Sequence, residues 1–387
     1  MRIAICGGHL TPALAVLESL REKDPRSQII FFGVKHTLEN EKTLSLEFQT
    51  ISQITGVEFV PLTSGKWQRY FTFKNLLTPL LVLKGFWQSL KTLHNFKPQV
   101  IMAFGSYLSV PVVIAGWVLR IPIVIHEQGI EAGIANRISS LFARRICLSF
   151  AQSRTYFPIK KAVLTGNPLR KNITSPTTYP ELETFLKQND RFPIILITGG
   201  NQGAHFINLK ILEILPLLLE KYIVIHQCGA SQNYQDYELL NEAVKKQSLT
   251  RQRRYLLIKN FSPDLMGAVY QKVDLVISRG GINSISELIF FQKKAIIIPL
   301  PFSAKNEQYN NALLLKKTNQ VEILEQKNLV SDKVMLEAIE SLIKSPTISK
   351  GMKNDVDFRL AAEKIIEEIY SQAGNYKAQN SDKTDLE

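Results

Sequence analysis

Glycine-bounded corners carry most of the polar residues in this 387-residue chain that could do chemistry. Gly199-Gly200-Asn201-Gln202-Gly203-Ala204 follows the apolar run 194–198 and opens a helical pattern. Glycine lets backbone approach a ligand closely, and the first N–H groups of a helix have no intrahelical acceptor, so such a turn can cradle a diphosphate. The alternative is a tight strand-to-helix turn with no ligand. Ser278-Arg279-Gly280-Gly281 repeats the arrangement and leads into Ile282, Asn283, Ser284, Ile285 and Ser286, which offer amide and hydroxyl donors. Glu287 follows one turn in. A carboxylate there can accept two hydrogen bonds from a ribose diol, or simply complement the helix dipole.

Gly7-Gly8-His9 follows the run 3–6, and Pro12 suits the first turn of the next helix. His9 on such a loop is a general-base candidate, a phosphate contact or a structural hydrogen bonder. His126-Glu127-Gln128 ends another run. Ile130 stands where an HExxH zinc site needs its second histidine, so the pair is not a metalloprotease motif. The sequence Asp355-Val356-Asp357 falls in a helical pattern and reads as a solvated face, and neither a Walker A sequence nor a complete GxGxxG occurs. Cys6, Cys147 and Cys228 are far apart and form no CxxC, which argues against a disulfide framework or a zinc site. No cofactor is therefore expected to be required, a divalent cation acting at most as a stimulant.

The elements that must position these corners alternate along the chain. Residues 3–6, 28–32, 100–103, 121–125 and 145–148 read as buried parallel strands separated by helices such as 12–22. A second series follows at 194–198, 222–227, 255–259, 275–278 and 295–299. The pattern predicts an α/β chain of two Rossmann-like doubly wound domains. Pro176, Pro180 and the polar residues around them mark a linker over 166–190, leaving domains at 1–165 and 191–350. A C-terminal helix is expected over 351–371, and a disordered tail over 372–387, whose polar composition offers no apolar face.

Lys and Arg number 47 against 34 Asp and Glu, giving a net charge of +13 that favours an anionic partner. Nucleic acid is disfavoured because no recognised module interleaves aromatics with the basic residues. The N-terminus lacks the apolar core and cleavage site of a signal peptide. The most apolar stretch, 110–125, contains Pro111, Arg120 and Pro122, so no transmembrane helix is expected. Residues 66–87 combine Trp67, Tyr70, Phe71, Phe73, Leu76, Leu77, Leu80 and Leu81 with Lys66, Arg69, Lys74 and Lys84. That mixture suits either a helix packed on its own domain or an interfacial contact with anionic lipid.

The corners and the segments between them resemble the MurG family of glycosyltransferases over nearly the whole chain. The resemblance rests on GGHLTPALA at 7–15, FGSYLSVP at 104–111, HEQGIEAGIAN at 126–136, GNPLR at 166–170, GGNQGA at 199–204, HQCG at 226–229, SRGGINSISE at 278–287 and EQYNNA at 307–312. It implies a GT-B fold whose domains face a central cleft, with the acceptor lipid in the N-terminal domain and UDP-N-acetylglucosamine mainly in the C-terminal one. The implied reaction is inverting transfer of N-acetylglucosamine to the undecaprenyl-diphospho-muramoyl-peptide, lipid I, giving lipid II for peptidoglycan. The implied place is the cytoplasmic face of the membrane, as a peripheral protein on an anionic surface.

Residue by residue, the resemblance puts Arg170 and Asn201 on the diphosphate, beside Gln202 and Gly203 of the same turn. Ser262 lies by the uracil, Ile282 to Ser286 supply loop amides, and Glu287 takes the ribose hydroxyls. Gln308 with Glu307 binds sugar hydroxyls. His9, His126 and Glu127 lie near the acceptor and are the general-base candidates, and Gly7, Gly8, Gly129 and Asn136 are further substrate-binding positions. Three departures stand out. Cys6 directly precedes Gly7-Gly8-His9 where the family reads GGTGGH, Gly129 replaces an Asn, and Asn201 replaces a Ser. The alternatives they leave open are a related UDP-sugar enzyme with another lipid acceptor, a UDP-sugar epimerase, or a weakly catalytic nucleotide-sugar-binding homologue.

Overall fold

The computed structural model describes residues 1–36, 44–63, 73–188, 191–231, 233–329, 331–346 and 357–384, with backbone only at 73–79, 263, 304 and 375–384. The chain divides into two compact units, Met1–Arg170 with Val356–Glu387, and Lys171–Asp355.

In the first unit, β1 (Arg2–Cys6), β2 (Gln28–Gly33), β3 (Val57–Pro61), β4 (Val100–Ala103), β5 (Ile123–Glu127), β6 (Arg145–Leu148) and β7 (Ala162–Leu164) form one sheet. Its order is β3-β2-β1-β4-β5-β6-β7, and every pairing is parallel. Successive residues of a strand point to opposite faces, so β1 feeds two cores. Ala4 and Cys6 pack with Ile30, Phe32 and Ile101 on one side, while Ile3 and Ile5 pack with Leu17, Phe31 and Met102 on the other. Burial on both faces explains why these strands read as continuous apolar runs.

The last helix, Ala361–Thr384, joins this unit. Ala362, Ile365, Ile366, Ile369 and Ala373 recur at helical spacing and complete the core beside Leu14 and Leu17 of helix Leu10–Lys23. This corrects the expected disordered tail from 372. Gln372 and Ala373 are buried, and the helix continues to Thr384.

The second unit holds β8 (Ile194–Thr198), β9 (Ile223–Gln227), β10 (Tyr255–Ile258), β11 (Leu275–Ser278), β12 (Lys294–Ile297) and β13 (Val321–Ile323), all parallel, in the order β10-β9-β8-β11-β12-β13. The segment read as a linker is folded onto this unit instead. Helices Lys171–Thr174 and Pro180–Lys187 bury Ile173, Leu182 and Leu186, and Glu183 pairs with Lys272 at 2.9 Å. The edge strands β3, β7 and β13 were not expected. They are three or five residues long and only partly buried, which gives them a weak apolar signal.

Both sheets share one feature that decides where ligands sit. The first strand of each lies between its second and fourth, so the chain winds away in opposite directions on either side and leaves the loops after those strands diverging. Such a switch point is where open α/β sheets bind ligands. Among the described residues, no helix is long and apolar enough to cross a membrane.

Candidate functional site

The first corner forms at the switch point between β1 and β4. Gly8 adopts φ +123°, and a Cβ there would stand 2.4 Å from both the Gly105 carbonyl oxygen and the Ser106 Cβ. Only glycine fits that contact, so the turn at 7–9 and the turn at 104–107 are locked against each other. Ser106 itself sits at φ +68°. Gly105 lies against the Asn136 amide, whose Nδ2 donates at 3.0 Å to the His126 carbonyl and at 3.0 Å to Glu127 Oε2. The Glu127 carboxylate also accepts from Gly129 N at 2.9 Å and Gly133 N at 3.1 Å. It thereby shapes the whole loop 127–136, which is a different task from abstracting a proton.

Burial sets the state of the two histidines. His126 is almost wholly inaccessible, with Nε2 3.0 Å from Ser149 Oγ, and burial lowers its pKa to about 3 against a backbone hydrogen bond at Gly166 that raises it. Burial also lowers His9 to about 4, so both imidazoles are neutral at neutral pH. His9 is the more accessible of the two and sits directly after the glycine turn. Two buried acceptors in the corner, Gln128 Oε1 and Asn136 Oδ1, have no hydrogen-bond partner among the described residues.

One residue here escaped the sequence reading. Glu47 comes from the helix Leu46–Ile51, and its carboxylate accepts from Gly8 N at 3.3 Å and from Val34 N at 2.8 Å. A Cβ on Gly7 would lie 2.0 Å from Oε1, and one on Gly33 would lie 2.6 Å from Oε2. No local motif marks it, since the contact spans 39 residues. Arg170 is likewise engaged, forming a two-pronged pair with Glu18 through Nη2 at 2.6 Å and Nε at 3.2 Å.

The second corner lies at the switch point between β8 and β11. Gly200 and Gly203 adopt φ +75° and +81°, and Gly203 N closes the turn on the Gly200 carbonyl at 3.0 Å. Gly203 also meets the loop after β9 so closely that a Cβ would lie 2.1 Å from the Cys228 carbonyl oxygen. Asn201 and Gln202 are left exposed at the tip. Across the switch point, helix Ile282–Phe291 starts at Gly281 without a side-chain cap, and Ile285 N donates to the Gly281 carbonyl at 3.0 Å. Ser286 Oγ donates back to the Ile282 carbonyl at 2.8 Å.

Glu287 is partly exposed. Its carboxyl is desolvated, which raises its pKa to about 7, and it accepts a hydrogen bond from the buried Tyr270 hydroxyl. The turn at 280 is pressed against the first turn of helix Glu307–Lys316, where a Cβ on Gly280 would lie 2.3 Å from the Gln308 carbonyl oxygen. Asn311 Nδ2 donates to the Gly280 carbonyl at 3.0 Å, and Gln308 Oε1 accepts from Leu300 N at 3.0 Å. Gln308 is therefore held beside this corner but with its carbonyl end occupied. Glu307, at the start of the same helix, is exposed. A cavity of about 270 Å³ opens next to the loop, lined by Leu300, Ser303, Tyr309 and Gln326 among others. Ser262 caps helix Pro263–Lys272, accepting from Leu265 N at 3.3 Å, and is exposed at the end of β10.

Behind the glycine turn runs a side-chain relay that the sequence reading also missed. His205 Nδ1 meets Asp236 Oδ1 at 2.6 Å, Asn208 Nδ2 donates to Asp236 Oδ2 at 2.7 Å, and Asn208 Oδ1 meets His226 Nε2 at 3.0 Å. His226 Nδ1 meets the Tyr255 hydroxyl at 2.7 Å. The relay ties β9, β10 and the first turn of helix His205–Lys221 together and so stiffens the corner. The described residues contain no cluster of three or more His, Cys, Asp or Glu side chains that could hold a metal ion.

Two parallel sheets of this order, each with glycine turns at its switch point, define a GT-B-type α/β protein. Residues 6–148 match the glycosyltransferase family 28 N-terminal domain, and residues 194–369 match the glycosyltransferase family 28 C-terminal domain. The chain belongs to glycosyltransferase family 28, and within it to the MurG branch. It is 32% identical over 363 residues to the Bacillus cereus UDP-N-acetylglucosamine--N-acetylmuramyl-(pentapeptide) pyrophosphoryl-undecaprenol N-acetylglucosamine transferase 2, covering 94% of this chain and 96% of that one. The Clostridium perfringens transferase of the same description is 33% identical over 361 residues, covering 90% and 94%. Among solved structures, Acinetobacter baumannii MurG superposes with a TM-score of 0.67 at 22% identity, covering 96% of this chain and 99% of that one. A Neisseria meningitidis UDP-GlcNAc 2-epimerase bound to UDP-GlcNAc shares the fold at a TM-score of 0.63 and 14% identity, covering 96% and 100%.

Proposed function

We infer that this chain transfers N-acetylglucosamine from UDP-N-acetylglucosamine to the muramoyl-pentapeptide pyrophosphoryl-undecaprenol, forming lipid II. The observation that carries the reading is end-to-end similarity at 32% identity to a transferase of that name. In this reading the second unit holds the donor. The turn 199–204 and residues 282–286 bind the diphosphate, Glu287 binds the ribose diol, Ser262 lies by the uracil, and Glu307 and Gln308 contact the sugar; Arg170, which the family resemblance puts on the diphosphate, is the last residue of the first unit. The first corner holds the acceptor. The acceptor hydroxyl oxygen attacks the anomeric carbon as the bond to UDP breaks, its proton passes to neutral His9, and the configuration inverts. Charge gathers on the departing UDP, where oriented amides stabilise it most strongly because they need no reorganisation.

The same reading places the chain on the cytoplasmic membrane face. Helix Phe73–Phe96 exposes Leu80, Leu83 and Trp87, helix Ser109–Val118 exposes Trp117 and Val118, and helix Ile134–Phe142 exposes Ile134, Ile138 and Leu141 at one-face spacing. Trp117 meets Phe142 at 5.2 Å, and Lys84, Lys91, Arg120 and Arg137 are exposed on the same elements or next to them. Exposed apolar groups among cations suit an anionic lipid surface. Trp67, Tyr70, Phe71, Lys66 and Arg69 lie outside the described residues, as do the side chains of Phe73, Lys74, Leu76 and Leu77.

The test is to incubate the purified chain with labelled UDP-sugars and the muramoyl lipid and to identify the product. Transfer of N-acetylglucosamine to the lipid supports the reading. Transfer to a different lipid, or epimerised UDP-sugar without transfer, would replace it.

A further inference from the structure

Among the described residues, the first corner offers acceptors where a phosphate site would offer donors. The amides of Gly8 and Val34, at the ends of β1 and β2, are taken by the Glu47 carboxylate at 3.3 and 2.8 Å. That carboxylate lies directly over Gly7 and Gly33, so a side chain at either position would have to displace it. Backbone N–H groups at the end of a first strand are a ready anion site, and here the anion is built in. Meanwhile Gln128 Oε1 and Asn136 Oδ1 are buried acceptors without partners. The orientation of the Asn136 amide is fixed by the two acceptors its Nδ2 already serves. A buried acceptor left unmade is costly, so this pair points to a ligand that donates hydrogen bonds.

We propose that Glu47 is a positioning and specificity residue of the acceptor corner. By filling the amide cradle it fixes the turn that carries His9, excludes phosphate from the end of β1, and leaves the corner to hydroxyl and amide N–H groups of the acceptor. The inference rests on the transferase reading above and adds that the acceptor's diphosphate lies elsewhere than at this turn. Burial raises the pKa of this carboxyl, and the two amide bonds oppose that rise.

The experiment compares Glu47→Ala and Glu47→Gln with the unaltered full chain. Phosphorus NMR line broadening reports binding of inorganic phosphate, and steady-state kinetics give separate KM values for donor and acceptor. Opening the cradle with Glu47→Ala is expected to create phosphate binding at millimolar concentration that the unaltered chain lacks. It is also expected to cut kcat/KM for the acceptor about tenfold or more, the size of one lost charge-assisted contact, with the donor KM unchanged. Formate, which can re-enter the cradle, should restore part of the loss. Glu47→Gln keeps one acceptor oxygen and should fall between the two.

Wild-type acceptor kinetics in Glu47→Ala would overturn the proposal. So would a loss shared equally by donor and acceptor, accompanied by a lower melting temperature and no response to formate, because that is the signature of a merely structural residue. If the unaltered chain transferred no sugar at all, the transferase reading would fail, whereas appearance of phosphate binding only in Glu47→Ala would still uphold the filled cradle.

Discussion

Arg170 closes on Glu18 through two guanidinium nitrogens, with Nη2 at 2.6 Å, although both side chains remain partly exposed. Its guanidinium is thus already committed to a carboxylate, and in the proposed function donor binding competes with that pair. Two substitutions separate the effects. Arg170→Ala should raise the KM for UDP-N-acetylglucosamine about 10- to 100-fold, since a charge-assisted hydrogen bond contributes about 1.5 to 3 kcal/mol. Glu18→Gln should lower that KM several-fold by releasing the guanidinium. Steady-state kinetics with varied donor decide it, and an unchanged donor KM in both variants would remove Arg170 from the site.

Desolvation of the Glu287 carboxyl predicts a pH dependence whose sign follows from its proposed role. A ribose diol donates hydrogen bonds, so it needs the carboxylate, yet desolvation holds the carboxyl protonated up to about pH 7. UDP affinity should therefore rise as pH increases through about 7, and calorimetry should show proton release on binding. The effect on folding runs the other way. The folded state favours the protonated acid, so the stability Glu287 contributes is full below about 4.5 and declines as pH climbs toward about 7. In Glu287→Gln the pH dependence of binding should vanish and affinity should fall about tenfold, the order expected for one hydrogen bond to a charged group. Wild-type affinity at every pH would leave Glu287 as a helix-dipole residue only.

Both sheets were legible in the sequence because their central strands are buried on two faces and run as unbroken apolar stretches, such as β1 and β8. The glycine corners were legible because turns like that at Gly203 admit no other residue. What remained hidden were partners brought in by the fold from far along the chain. Glu18 for Arg170 is 152 residues away, and Glu47 for Gly8 is 39. Tyr270 and Glu287 come from successive helices, and nothing in the pattern of either announces that a carboxyl there is desolvated. The edge strand β3 was missed because half-buried residues dilute its apolar signal.

His9 and Glu127 should respond differently to substitution. His9 is a neutral imidazole held down to about 4 by burial, so its role as base predicts a rate that is flat through neutral pH and falls only as pH approaches about 4. His9→Ala should lower kcat about 100-fold or more, the usual weight of a positioned base, with the melting temperature little changed. Glu127→Gln should instead disturb the loop that Gly129, Gly133 and Asn136 tie to it, raising the acceptor KM and lowering stability together. Should Glu127→Gln abolish kcat while acceptor KM and melting temperature stay put, the assignments of the two residues would have to be exchanged.

The exposed apolar face of the first unit predicts how the chain reaches a lipid-borne substrate. Ile134 and Leu141 are 79% and 72% exposed and lie two turns apart on one side of a nine-residue helix. A soluble face would carry polar groups there. Leu83 and Trp87 make a similar pair on helix Phe73–Phe96. Apolar side chains that enter the headgroup region contribute in proportion to buried area, and each nearby cation adds about 1 kcal/mol on an anionic surface. The two contributions can be tested apart by vesicle co-sedimentation. Replacing Lys84, Lys91 and Arg137 with Gln should weaken binding to anionic vesicles at low salt and reduce its salt sensitivity, because counterions screen only the electrostatic part. Replacing Trp87, Ile134 and Leu141 with Ser should weaken binding at high salt as well, while leaving transfer to a short-chain, water-soluble acceptor intact. Equal binding of all three proteins to anionic vesicles would mean that this face is not the docking surface.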